Sequence, residues 1–320
     1  MREPGTSPYV DIAALLDGEL PEPPRPTVLR RTDGNAITYE GQVNLIFGDP
    51  ESGKTFVCLA AAVESLIDSG RCIVIDLDHN GAPATVRRLL SLGAPLAALR
   101  DPSRFRYTEP EDRLELIQVV EDMKKFKPTV AVIDSIGELL PLFGSNSNSA
   151  DEFTAVHTKV LKPLARTGAA VLAIDHLAKG SDSRSQGPGG TAAKRRAIGG
   201  VSLRVKVKVP FTPGKGGSAV LTINKDRHGG VRQFSPVGDH EPVAGTFTLT
   251  ALDDDQLVYR VIAPNADERN EDENAPAADV KEIEALDPPP RTVDEARERL
   301  QWRKDRAARA MRTWREREAS

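Results

Sequence analysis

Long apolar runs are missing from this chain of 320 residues. Its longest apolar stretches have the length of strands, so no segment reads as a membrane-spanning helix. The opening MREPGTSPYV also lacks the apolar core of a secretory signal, and a cytoplasmic protein with no membrane partner is expected. Cysteine is scarce. Cys58 and Cys72 are the only two, without metal-ligand spacing, and both fall in segments that read as buried core. Aromatic residues make up only 5% of the sequence, which leaves few platforms for stacking nucleic-acid bases. There is no global excess of positive charge either. The net charge is −4, so any surface for a polyanion has to be local. The length suits one large α/β domain with a small appendage.

One stretch organises the rest. Gly48-Asp49-Pro50-Glu51-Ser52-Gly53-Lys54-Thr55 fits G-x-x-x-x-G-K-[ST], the phosphate-binding loop of nucleoside triphosphatases. Two glycines permit the close backbone approach that lets successive N–H groups wrap a phosphate. In this pattern Lys54 reaches the β- and γ-phosphates and the Thr55 hydroxyl ligates Mg²⁺. The context agrees. Val43–Phe47 reads as a buried strand, and Thr55–Ile67 as a helix whose N-terminus faces the phosphates.

Two further strands deliver acids. Cys72–Ile75 is all apolar and runs into Asp76-Leu77-Asp78, at the end of a parallel strand, where open α/β sheets bind ligands. Asp78 is thus a candidate for orienting an attacking water; the alternative is a surface turn. Thr129–Ile133 ends in Asp134, which would reach the metal through its water shell. A fourth buried strand, Ala169–Ile174, ends in Asp175-His176, with His176 a candidate γ-phosphate sensor or a plain strand cap. Residues 179–200 turn glycine- and serine-rich and end in Lys194-Arg195-Arg196, a cluster suited to nucleic-acid phosphates or to solvent alone. That stretch holds no aromatic residue.

The ends differ in character. Residues 1–26 read as an extended proline-rich strap and 27–263 as the core. Residues 264–290 read as an acidic, proline-bearing linker. Residues 291–320 form a strongly basic helical tail, either a helix-turn-helix unit or one continuous amphipathic helix for a partner such as a replication or recombination protein.

Taken in order, Gly48–Thr55, the acidic tip Asp76–Asp78, Asp134, His176 and Lys225-Asp226-Arg227 resemble the RecA/DnaB-like ATPases. The nearest likeness is to the RepA-like hexameric helicase branch of plasmids and phages. The stretch from GQVNLIFGDPESGKT through IDLDHNGAPATVRRLLSLGAP is similar to AAA-type ATPases of actinobacterial phages and mobile elements. The likeness covers about residues 27–262. It implies an α/β, RecA-like P-loop NTPase fold with a mainly parallel central sheet, C-terminal antiparallel strands and a small helical tail. It further implies ATP and Mg²⁺, single-stranded DNA as partner, and a homo-oligomer, a hexamer, with nucleotide between subunits. Lys225 and Arg227 would reach the neighbour's γ-phosphate, and a loop at residues 181–198 would line a central pore. One position departs from the family's pattern: Asp78 stands where glutamate is usual. His176 stands where the wider group has glutamine, and histidine there also fits the RepA-like branch.

Overall fold

The computed structural model describes residues 9–18, 20, 22–145, 149–177, 192–252, 256–270 and 277–318. The loop expected at 181–198 therefore lies outside the described residues as far as position 191.

Eleven strands form among the described residues. β1 (Val28–Arg30) and β2 (Ala36–Thr38) make a small antiparallel pair around the Asp33-Gly34 turn. The other nine are β3 (Val43–Gly48), β4 (Cys72–Asp76), β5 (Phe105–Thr108), β6 (Val130–Asp134), β7 (Ala170–His176), β8 (Val201–Thr212), β9 (Gly216–Asp226), β10 (Val243–Ala251) and β11 (Leu257–Ile262). They form one sheet in the order β11-β10-β9-β8-β3-β7-β6-β4-β5. Pairing is parallel from β8 through β5 and antiparallel from β8 out to β11. The fold class read from the sequence is the one observed.

Burial explains the lack of alternation in the central strands. β3, β4 and β6 are buried at every position, because both faces of the sheet are covered. Ile46, Val74, Val132 and Leu172 face one core, shared with α2 (Lys54–Ile67). Leu45, Phe47, Ile73, Ile75, Ala131, Ile133 and Val171 face the other, with α5 (Arg113–Phe126) and α6 (Ile136–Leu142). The period of two in a strand sends each neighbour to the opposite layer. Cys58 and Cys72 are both buried in the first layer.

Smaller elements complete the domain. α1 (Ile12–Asp17) is capped by the Asp11 side chain and buries none of its residues. α3 (Ala82–Ser91) and α4 (Leu96–Arg100) lead from β4 to the edge strand β5. The helical stretch that leads into β7 is broken by a π turn: α7 (Ala150–Val156), the π segment His157–Leu161, then α8 (Lys162–Ala165). α9 (Ala192–Ala197) precedes β8.

The linker expected over residues 264–290 needs correction at both ends. Asn270 is buried and bonded to the core: its N–H donates to Asp239, its amide to the Glu241 carbonyl, and Lys206 donates to its side-chain oxygen. Farther on, α10 (Ala277–Glu284) is a helix, because Val280 and Ile283, spaced to share one face, are buried. They pack with α11 (Val293–Leu300) and α12 (Lys304–Glu318) around a separate small core. The tail is thus two helices split at Gln301, not one continuous helix. No described helix is long and apolar enough to cross a membrane.

Candidate functional site

A cleft of about 420 Å³ opens where the C-terminal tips of β3, β4, β6 and β7 meet the start of α2. Its walls carry Lys54, Thr55, Asp78, Asp134, His176 and Phe211. This volume falls within the range of small-molecule sites.

The loop between β3 and α2 forms the floor. Gly53 has φ +89°, a left-handed conformation that favours glycine. A Cβ there would fall 2.4 Å from the Phe211 ring, and one at Gly48 would fall 2.5 Å from the Val205 carbonyl oxygen. Lys54 is buried, and its Nζ donates to the carbonyls of Asp49 at 2.6 Å and Gly48 at 3.1 Å. Burial pushes its pKa down, against the pull of Asp134.

The acids converge beside it. Thr55 Oγ1 donates to Asp134 Oδ2 at 3.0 Å. Burial raises the Asp134 pKa to about 6, the nearby Asp78 adds to the rise, and the Thr55 hydrogen bond opposes it. Ser135 Oγ donates to Asp78 Oδ1 at 2.8 Å, and the Asp78 N–H donates to the Asp134 carbonyl, so the two strand tips are laced together. Asp76 and Asp78 divide sharply. Asp76 is buried and accepts from Asn80, the Gly81 N–H and the Tyr107 hydroxyl, whereas Asp78 is exposed at the cleft. His176 is exposed at the tip of β7, in register with Gly48.

The basic residues singled out from the sequence do not form one surface. Lys194 is buried, and its Nζ donates to Asp175 Oδ2 at 2.8 Å. This corrects the expectation that it faces nucleic acid alongside its neighbours: a carboxylate buried at the tip of β7 holds it. Arg195 is half-buried and donates to the Asn224 carbonyl, and Arg196 is exposed. Lys225 Nζ donates to the carbonyls of Arg195, Arg196 and Ile198, closing the end of α9, so within this chain it acts as a helix cap. Burial, helped by Arg227 and Arg195, lowers its pKa. Arg227 is exposed, and no side-chain hydrogen bond or ion pair is made by it among the described residues. Asp226 faces the other way, accepting from Tyr39 and from the N–H groups of Val231 and Arg232.

Three cleft residues escaped the sequence reading. Arg88, in α3, and Asn80, just after β4, line the cleft. Phe211 stacks on Phe56 with ring centroids 6.2 Å apart. It follows Pro210 near a glycine-rich turn, and no local pattern marks it.

The AAA domain model matches residues 12–182, more than half of the chain. The chain belongs to the AAA domain family. This AAA domain protein is also similar to Protein RecA of Acidiphilium cryptum, 24% identical over 215 residues, 65% of this chain and 54% of that protein. It is 27% identical to the DNA repair protein RAD51 homolog 4 of Bos taurus over 165 residues, 47% of this chain and 50% of that protein. A mitochondrial DNA repair protein recA homolog of Dictyostelium discoideum is 26% identical over 128 residues, 40% of this chain and 26% of that protein. The chain spans about half or less of these relatives. The sheet order, with β3 between β7 and β8, agrees with a RecA-like P-loop fold.

Proposed function

We propose that this protein hydrolyses ATP with Mg²⁺ and couples the reaction to DNA. The observation that carries the reading is the Thr55–Asp134 hydrogen bond beside Lys54 on a glycine-bounded loop. The donor set fits the cofactors. A hydroxyl and a carboxylate are hard oxygen ligands suited to Mg²⁺, and the space that Gly48 and Gly53 leave clear lets backbone N–H groups approach a phosphate. Bound there, Mg²⁺ would neutralise developing charge on the phosphates. Lys54 would exchange its carbonyl partners for the β- and γ-phosphates. Asp78, held by Ser135, would orient the attacking water, and His176 would contact the γ-phosphate.

The finer reading is a ring-shaped motor of the RepA/DnaB-like helicase or translocase type, a hexamer with nucleotide at subunit interfaces. Its support is the exposed Arg227 at the end of β9, which is not among the described residues that line its own chain's cleft, and the exposed Arg196 at the end of α9. A second reading, a recombination mediator of RecA type with little unwinding, draws on relatives named for RecA and for DNA repair.

One experiment separates these. ATP turnover is measured with and without single-stranded DNA, together with mass in solution and strand separation. DNA-stimulated turnover by a closed ring that separates strands supports the motor. A filament without strand separation favours the mediator. Absence of turnover under all conditions overturns both.

A further inference from the structure

The three C-terminal helices lie outside everything argued for the cleft. They enclose their own core of Val280, Ile283, Ala296, Trp302, Ala307, Ala310 and Met311. The sequence dictates this locally. Thr292 caps α11 by accepting from the Glu295 N–H, and Glu295 reaches back to the Arg291 N–H, which fixes the start of the helix. Gln301 ends it in a left-handed conformation with φ 54°. The Trp302 N–H then bonds back to the Arg297 carbonyl, and α12 begins at Lys304. Two helices joined by a tight turn whose tryptophan is tucked into the core are the frame of a helix-turn-helix.

The two sides of α12 differ in chemistry. Ala307, Ala310 and Met311 point inward. Lys304, Arg309 and Arg315 are exposed, with Ala308 and Arg312 half-buried on the same outward side. Arg306, on the flank, is held by Asp279 through two hydrogen bonds, and Glu295 serves the cap. The helix holds six cations against three acids while the whole chain is at −4, so positive charge is concentrated here. An outward face of cations around one alanine has nothing to insert into a lipid layer. Its small central residue allows the helix to approach closely, and a B-form major groove admits an α-helix.

We infer that residues 277–318 form a duplex-DNA-binding unit in which α12 enters the major groove and its cations meet the flanking phosphates. This goes beyond the ATPase reading, whose DNA contact is a single strand at the α9 region. A helix of 15 residues spans about 22 Å, enough to cross the groove.

The chain's two tryptophans, Trp302 and Trp314, both lie in this unit, so their emission reports on it alone. The full chain is titrated, without nucleotide, with a labelled duplex of roughly 20 base pairs, two helical turns. Anisotropy and tryptophan emission are read across a range of salt. The wild type binds and its emission changes. The variant Lys304→Ala/Arg309→Ala/Arg312→Ala is expected to bind at least about tenfold more weakly, with a salt slope shallower by about 2 to 3. Its emission without DNA and its basal ATP turnover stay at wild-type values. If that variant loses the emission of the folded unit, Ala308→Glu, which places an acid on the same face, is judged by the same criteria. Equal affinity and slope in wild type and variant overturn the inference. So does wild-type emission that ignores saturating duplex. A change in solution mass with unchanged DNA affinity also overturns it, assigning the face to a second copy of the chain.

Discussion

Lys194 and Asp175 form a buried ion pair at 2.8 Å, one residue before His176 at the cleft. The pair ties the start of the basic helix to the strand tip that lines the nucleotide cleft. Burial raises the Asp175 pKa, and Lys194 is the cation that opposes the rise.

Lys194→Ala leaves a buried carboxylate without its partner. The expected cost is up to about 3–5 kcal/mol, lessened where α9 can detach. Lys194→Met combined with Asp175→Asn should recover much of it. Arg196→Ala, at an exposed position, should leave stability unchanged and weaken only binding to single-stranded DNA. Thermal unfolding of the sheet domain and DNA titration check the two halves separately. A Lys194→Ala protein as stable as wild type would remove the structural role argued for the pair.

Asp76 and Asp78 should separate cleanly on mutation. Asp78→Asn is expected to slow turnover about 10²-fold, the scale of a lost general base, with stability little changed because the side chain is exposed. Asp76→Asn disturbs a buried acceptor of three hydrogen bonds and should lower stability by about 1–3 kcal/mol. Turnover rates and melting curves on both variants give the answer. The reverse pattern, with rate lost only at Asp76, moves the role to that residue.

The Asp134 carboxyl, at about pKa 6, lies above its value in an unfolded chain. Its protonated form is therefore favoured by folding. That contribution is complete below about pH 4 and is lost as pH rises through about 6. Above that pH the free protein carries a buried ionised group at a cost on the order of 1–3 kcal/mol. Asp134→Asn should accordingly be more stable than wild type at pH 8 while losing Mg²⁺-dependent turnover. In the wild type, Mg²⁺-nucleotide affinity should fall as pH drops through 6, because the metal needs the ionised form. Melting and nucleotide titration at pH 5 and 8 test this; a destabilised Asp134→Asn protein at pH 8 contradicts it.

Arg227→Ala should leave ATP binding intact and nearly stop hydrolysis, since a cation supplied to a neighbour's phosphates contributes about 10³–10⁵-fold. Lys54→Ala should be inactive on its own. Mixing the two proteins should restore part of the activity, an Arg227 from one chain completing an intact phosphate loop on another. Turnover is followed against mixing ratio while subunits exchange. Fully active wild-type protein with a monomeric mass would rule out the shared site.

The parts legible in the sequence were those where local pattern and tertiary role coincide. β3, β4 and β6 are uninterrupted apolar runs because both faces are covered, and each ends in a polar tip that the sheet order brings to one cleft. β5 went unread. Its four residues, FRYT, form an edge strand with one buried position and no pattern to detect. α10 was hidden by acidic, proline-bearing surroundings, and only Val280 and Ile283 hint at a buried face. Lys194 looked like its two neighbours, because nothing local says that one of three adjacent cations meets a carboxylate 19 positions earlier. Phe211 reaches Gly53 only because β8 runs on well past its pairing with β3 before the hairpin turns back.

The separate core of the three C-terminal helices bears on how the molecule melts. Seven buried apolar side chains, two of them contributed by α10, support a unit near the size below which a fold is marginal without help. Among the described residues it shares no apolar cluster with the sheet domain, so its unfolding need not be cooperative with the rest of the chain. Calorimetry is then expected to resolve two melting transitions of very different enthalpy. The smaller one moves upward with any ligand that binds the helices.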